Sequence, residues 1–87
     1  GQHVRACVTY AAEDAAAARR LVQRVRAAPN GQRLSGVQLT TDIPVQALQQ
    51  ALAEADCLVV CCSPAAFASD RVNAEIDEYL RTNVGSR

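Results

Sequence analysis

Cys57-Leu58-Val59-Val60-Cys61-Cys62 is the most apolar run in the chain, and how it is read decides the fold. It is continuous rather than alternating, which is the pattern of a β-strand covered on both faces. Upstream, Leu48, Ala51, Leu52 and Ala55 recur at i, i+3, i+4 and i+7, the single apolar stripe of an amphipathic helix, which Asp56 ends. That helix is entered from the turn Thr41-Asp42-Ile43-Pro44. Asp42 reads first as its cap, and Pro44 suits the first helical turn, where a missing N–H costs nothing. Downstream, Ser63-Pro64 leads into a short turn around Phe67. Ser69 then caps a last helix with Val72, Ile76, Tyr79 and Leu80 on one side, broken by Asn83-Val84-Gly85-Ser86.

The same plan continues toward the N-terminus. Val37-Gln38-Leu39-Thr40 is a short alternating strand. Before it, Ala15 to Ala28 forms a helix with Leu21, Val22 and Val25 inward and Arg19, Gln23 and Arg26 on another face, stopped by Pro29-Asn30-Gly31. Val4 to Tyr10 is the opening strand. Three alternations of strand and helix imply parallel strands joined by right-handed crossovers. The expected fold class is α/β, a flavodoxin-like parallel sheet (βαβαβα) in the order 2-1-3. In that order the most apolar strand is an edge unless another strand follows, so the expectation is a domain that continues past Arg87 into a fourth and a fifth strand, with residues 1–87 a part of it.

Composition narrows the chemistry. The chain has 87 residues and a formal net charge of zero, so no global field draws in nucleic acid or an anionic membrane. All nine basic residues are Arg, and 17 are Ala, the mark of a GC-rich coding sequence. The four cysteines are Cys7, Cys57, Cys61 and Cys62, and the one histidine is His3. Zinc sites want loop-borne pairs, and adjacent cysteines in a strand point to opposite faces, so the expectation is no metal site but small buried thiols in a reducing cytoplasm. There is no signal peptide pattern and no long apolar span. No glycine-rich nucleotide loop is present; Gly31 and Gly36 read as turn residues, and Ser63 has no nearby histidine to activate it.

Ligands of open α/β sheets bind beyond the carboxyl ends of the strands, where the strand order reverses. Tyr10, Glu13, Asp14 and Ser63 project there, with Ser69, Asp70, Arg71 and Glu75 from the last helix and Asp42 from the end of strand 2. From spacing alone Glu75 reads as a solvated helical glutamate, though it flanks the apolar stripe rather than opposing it. Arg71 reads as a surface or interface residue, and Arg19, Arg20, Arg24 and Arg26 as a solvated face.

Taken as an ordered set, three passages resemble the Toll/interleukin-1 receptor (TIR) domain family. Ala6-Cys7-Val8-Thr9-Tyr10 followed by Glu13-Asp14 is similar to its first box. Ala53 to Pro64 looks like its acidic link, apolar strand and Ser-Pro passage. Ser69-Asp70-Arg71-Val72-Asn73-Ala74-Glu75-Ile76 is similar to its Ser-x-Trp-Cys-x-x-Glu-Leu segment. The resemblance implies the N-terminal three-strand portion of such a domain and a cytoplasmic bacterial signalling or defence module that assembles with like domains. In some members it also implies cleavage of NAD+, a substrate rather than a cofactor. On this reading Glu75 matches the catalytic glutamate, and Tyr10, Glu13, Asp42, Ser63 and Arg71 are candidate NAD+ contacts. Two departures stand out: Arg71 replaces the family's aromatic, and the Asp42-Ile43-Pro44 loop lacks its glycine. A non-catalytic adaptor acting by homotypic contact is the alternative. A receiver domain fits less well, because its phosphoacceptor aspartate would end strand 3, where Cys62-Ser63 stands.

Overall fold

The computed structural model describes residues 4–29 and 36–83. In chain order these form β1 (Arg5–Thr9), a 3-10 turn (Ala12–Asp14), α1 (Ala15–Ala27), β2 (Gly36–Leu39), a second 3-10 turn (Thr40–Asp42), α2 (Val45–Glu54), β3 (Cys57–Val60), one helical turn α3 (Pro64–Phe67), and α4 (Asp70–Asn83). The strands are parallel and lie in the order β2-β1-β3, as the alternation of elements requires. Ala6 stands opposite Val37 on one side and Cys57 on the other.

Side chains alternate across a strand, and β1 uses both of its faces. Ala6, Val8 and Tyr10 enter a core with Ala18 and Val22 of α1 and with Val37 and Leu39 of β2. Cys7 enters the opposite core with Ile43, Leu52 and Ala55. The sheet therefore carries α1 on one face and the packed pair α2 and α4 on the other. A small third cluster, Ala11, Ala66 and Val72, seats α3 and α4 against the carboxyl end of the sheet.

Polar groups fix the joints. Asp56 N–H donates to the Arg5 carbonyl at 2.7 Å, and Arg5 N–H donates to Asp56 Oδ2 at 2.8 Å, which sets the register of β1 against β3. Ser69 Oγ accepts from Val72 N–H at 3.2 Å, the cap expected for α4. Ser63 Oγ likewise accepts from Ala66 N–H at 3.1 Å, so what reads as a turn is a capped helical turn.

Four expectations need correction. The run at Cys57–Cys62 is not covered on both faces: Leu58 and Val60 pack toward α4, whereas on the opposite face Cys57 is exposed and Val59 is 37% exposed; Cys62, past the end of β3, is exposed beside Phe67. The cause is that α1 lies over β1 and β2, leaving an apolar groove of about 180 Å³ between Leu21 and Val25 of α1 and Val59 of β3. Leu21, expected inward, stands at the rim of that groove, and Leu80 and Phe67 are exposed as well. Asp42 caps nothing; it closes a 3-10 turn, and Pro44, whose carbonyl accepts from Ala47 N–H at 2.9 Å, occupies the position before α2. Gly36 is not a turn residue but opens β2, where an added Cβ would come within 3.3 Å of the Val4 carbonyl oxygen.

Among the described residues no helix is long and apolar enough to cross a membrane, and no group of three or more His, Cys, Asp or Glu side chains could hold a metal ion. His3 and the stretches at residues 30–35 and 84–87 lie outside the described residues, the stop signals Asn30-Gly31 and Val84-Gly85 among them. None of the four cysteines is in a disulfide.

Candidate functional site

Helix α4 carries Val72, Glu75, Ile76 and Tyr79 at i, i+3, i+4 and i+7, so Glu75 occupies a position of the apolar stripe itself. The stripe faces the sheet, and Glu75 is 6% exposed. A carboxylate there must be paired or hydrogen-bonded to be tolerated. Both oxygens are accounted for. Thr9 Oγ1, fully buried at the end of β1, donates to Glu75 Oε1 at 2.7 Å. Arg71, one helical turn earlier, brings its guanidinium to 3.5 Å from Oε2.

Arg71 is itself held. It donates to the Tyr10 carbonyl oxygen and lies 5.3 Å from the centroid of the Tyr10 ring, a cation–π distance. Tyr10 is buried, and its hydroxyl shares a 2.6 Å hydrogen bond with Thr41 Oγ1. Thr9, Tyr10, Arg71 and Glu75 thus form one connected polar group at the carboxyl end of the central strand, where open α/β sheets place ligands.

Beside this group is a cleft of about 330 Å³ between the two helices on that face, lined by Val45, Leu48, Gln49 and Leu52 of α2 and by Arg71, Ala74, Glu75 and a second carboxylate, Glu78, of α4. The volume lies within the usual range for small-molecule sites, and the apolar wall with a few convergent charged groups is their usual composition. A carboxylate in such a wall can stabilise a developing cation, and a guanidinium with 39% of its side chain exposed can meet an anionic group.

The remaining candidates are dispersed. Ser63 Oγ donates to Asp14 Oδ2 at 2.5 Å, a pairing that ties the end of β3 to the turn before α1. Burial, followed by Asp14 and then Cys62, pushes the Cys61 thiol above its ordinary value. Glu13 and Asp42 are exposed, and neither lines the cleft. Sequence reasoning passed over Thr9 as a candidate. The available signal was parity: Thr9 shares its strand face with Cys7, at the end nearest the last helix. It also passed over the α2 wall, whose residues read only as core.

A family model described as TIR domain matches residues 7–87 of the chain. No curated protein and no solved structure matches it.

Proposed function

The chain belongs to the TIR domain family, and from that premise we propose that it is a signalling module that self-associates and hydrolyses NAD+ at the nicotinamide–ribose bond through Glu75. The observation that carries the reading is the carboxylate of Glu75, buried yet in the wall of a ligand-sized cleft, with one oxygen fixed by Thr9. In the reaction the bond from C1′ of the ribose to the pyridine nitrogen breaks, and nicotinamide leaves with the electron pair. The ribosyl centre acquires oxocarbenium character, which a fixed negative charge stabilises. Water then adds to C1′ and releases a proton, giving ADP-ribose. Arg71 is suited to the diphosphate, and Tyr10 to holding Arg71 in place. Glu13, Asp42 and Ser63 are assigned a part only as outer contacts of the nucleotide.

On this reading residues 1–87 are part of a larger TIR-like domain, for which the exposed Cys57 and Val59 face of β3 speaks. The partners are like domains or further copies of the protein, and four free thiols suit the cytoplasm.

Nicotinamide release by the assembled protein tests the proposal. Glu75→Gln keeps size and hydrogen-bonding shape but removes the charge, and is expected to lower release about 10²–10³-fold. Equal release by wild type and variant rejects the assignment. One observation favours the adaptor reading instead: Arg71 already neutralises Glu75 Oε2. An assembled wild-type protein that releases no nicotinamide would decide for that alternative.

A further inference from the structure

Thr9 is the last residue of β1 and is fully buried, and among the described residues only the Glu75 carboxylate calls for its hydroxyl. Strand propensity and shape would be served as well by valine, without a buried polar atom to satisfy. Among the described residues the hydroxyl has one partner, Glu75 Oε1 at 2.7 Å, across a sequence separation of 66 residues. A glutamate on a helix reaches out through three rotatable bonds, so its carboxylate is placed only if something holds the end of it. Here the central strand of the sheet, buried from Ala6 to Thr9, supplies that hold. With Oε1 taken by Thr9, Oε2 is the oxygen that meets Arg71 beside the cleft.

We propose that Thr9 is a positioning residue for Glu75: its hydroxyl fixes the rotamer that presents Oε2 to the ribosyl centre of the dinucleotide. The inference rests on the catalytic reading of Glu75. Thr9 does not touch the substrate. It is enclosed, and it acts by keeping a mobile carboxylate within the narrow range of positions where its charge opposes the developing cation.

The experiment compares Thr9→Val, Thr9→Ser and Glu75→Gln with wild type in the assembled protein, reading kcat and KM for nicotinamide release together with the melting temperature of each. Thr9→Val removes the hydroxyl and preserves the bulk, and is expected to lower kcat about 10- to 100-fold with KM little changed. Thr9→Ser retains the hydroxyl and gives up a methyl group; it is expected to lower the melting temperature and to keep kcat near wild type. A merely structural threonine would give the reverse order, with kcat following stability. Should Thr9→Val fail to fold, Thr9→Ala takes its place, since it too lacks the hydroxyl and leaves space rather than strain. Wild-type kcat in the variant without the hydroxyl, beside an inactive Glu75→Gln, overturns the positioning role alone. Wild-type release by Glu75→Gln overturns the catalytic reading, and the role of Thr9 falls with it.

Discussion

Strands β1 and β3 are hydrogen-bonded neighbours from Ala6–Cys57 to Thr9–Val60, yet they occupy different environments. In β1 every residue after Arg5 is buried, although the strand includes an arginine and a threonine. In β3, written as Cys-Leu-Val-Val, residues alternate between exposed and half-buried. The difference comes from place rather than composition. β1 has a strand on each side and helices over both faces. Among the described residues β3 has one strand beside it, and on the α1 side of the sheet it borders an open groove walled by Leu21 and Val25. Apolarity in a sequence states what environment a strand is built for, and the arrangement of the other elements decides how much of that environment it receives.

Deleting the same two methyl groups in each strand separates the two environments most clearly. Val8 is 1% exposed, and Val8→Ala is expected to lower stability by about 2–3 kcal/mol through lost burial and the cavity left behind. Val59→Ala is expected to cost less than about 1 kcal/mol, as at an exposed site. Denaturant midpoints at unchanged slope measure both. Equal losses would mean that Val59 is covered in solution.

The thiols sharpen the contrast through pH. Burial, followed by the neighbouring Cys57 and Glu75, pushes the Cys7 thiol above its ordinary 9.0. The neutral thiol is therefore favoured in the folded state. Its contribution to stability is complete below pH 9.0 and is lost as pH rises through the higher folded value. Unfolding curves across alkaline pH should show that decline in wild type and a shallower one in Cys7→Ala, with a smaller effect than the Val8 substitution. A thiol-directed alkylating reagent followed by mass spectrometry gives the kinetic counterpart. Exposed Cys57 and Cys62 are expected to label first, and Cys7 only on unfolding. Early labelling of Cys7 would show that the central strand opens.

Helix α4 repeats the contrast on a smaller scale. Arg81, with 63% of its side chain exposed, pairs with the half-buried Glu78 at the cleft, and Arg81→Ala is expected to change stability by no more than about 0.5 kcal/mol. On the same helix Asp77 is exposed, and Asp77→Asn should leave nicotinamide release at its wild-type level, the counterpart to Glu75→Gln.

Much of this fold is legible from the positions of Val37, Leu39, Leu52 and Val72, which become buried because their periods match the elements they lie in. What spacing cannot convey is lateral coverage, so the exposure of Cys57 and Cys62 is not readable from their own run. Local chemistry misleads where two turns compete. Asp42 has the makings of a cap, but the 3-10 turn it closes leaves Pro44 at the helix entrance. The candidate site is legible in half. Glu75 stands in the apolar stripe for anyone counting residues, but its tie to Thr9 links segments far apart in the chain, a contact that no local pattern announces.

The position of β1 also governs the order in which the sheet can form. Arg5 must wait for Gly36, and Ala6 for Cys57, because parallel neighbours cannot be joined by a hairpin. During synthesis the first strand leaves the ribosome unpaired, gains β2 only after α1 is complete, and has its second edge open until Cys57 emerges. Every strand contact is therefore a closure of a long loop, the kind of topology that folds slowly for its size. The pair of hydrogen bonds between Arg5 and Asp56 is the first link of β1 to its second neighbour that synthesis can deliver, so a nascent chain halted before residue 56 holds β1 by a single edge.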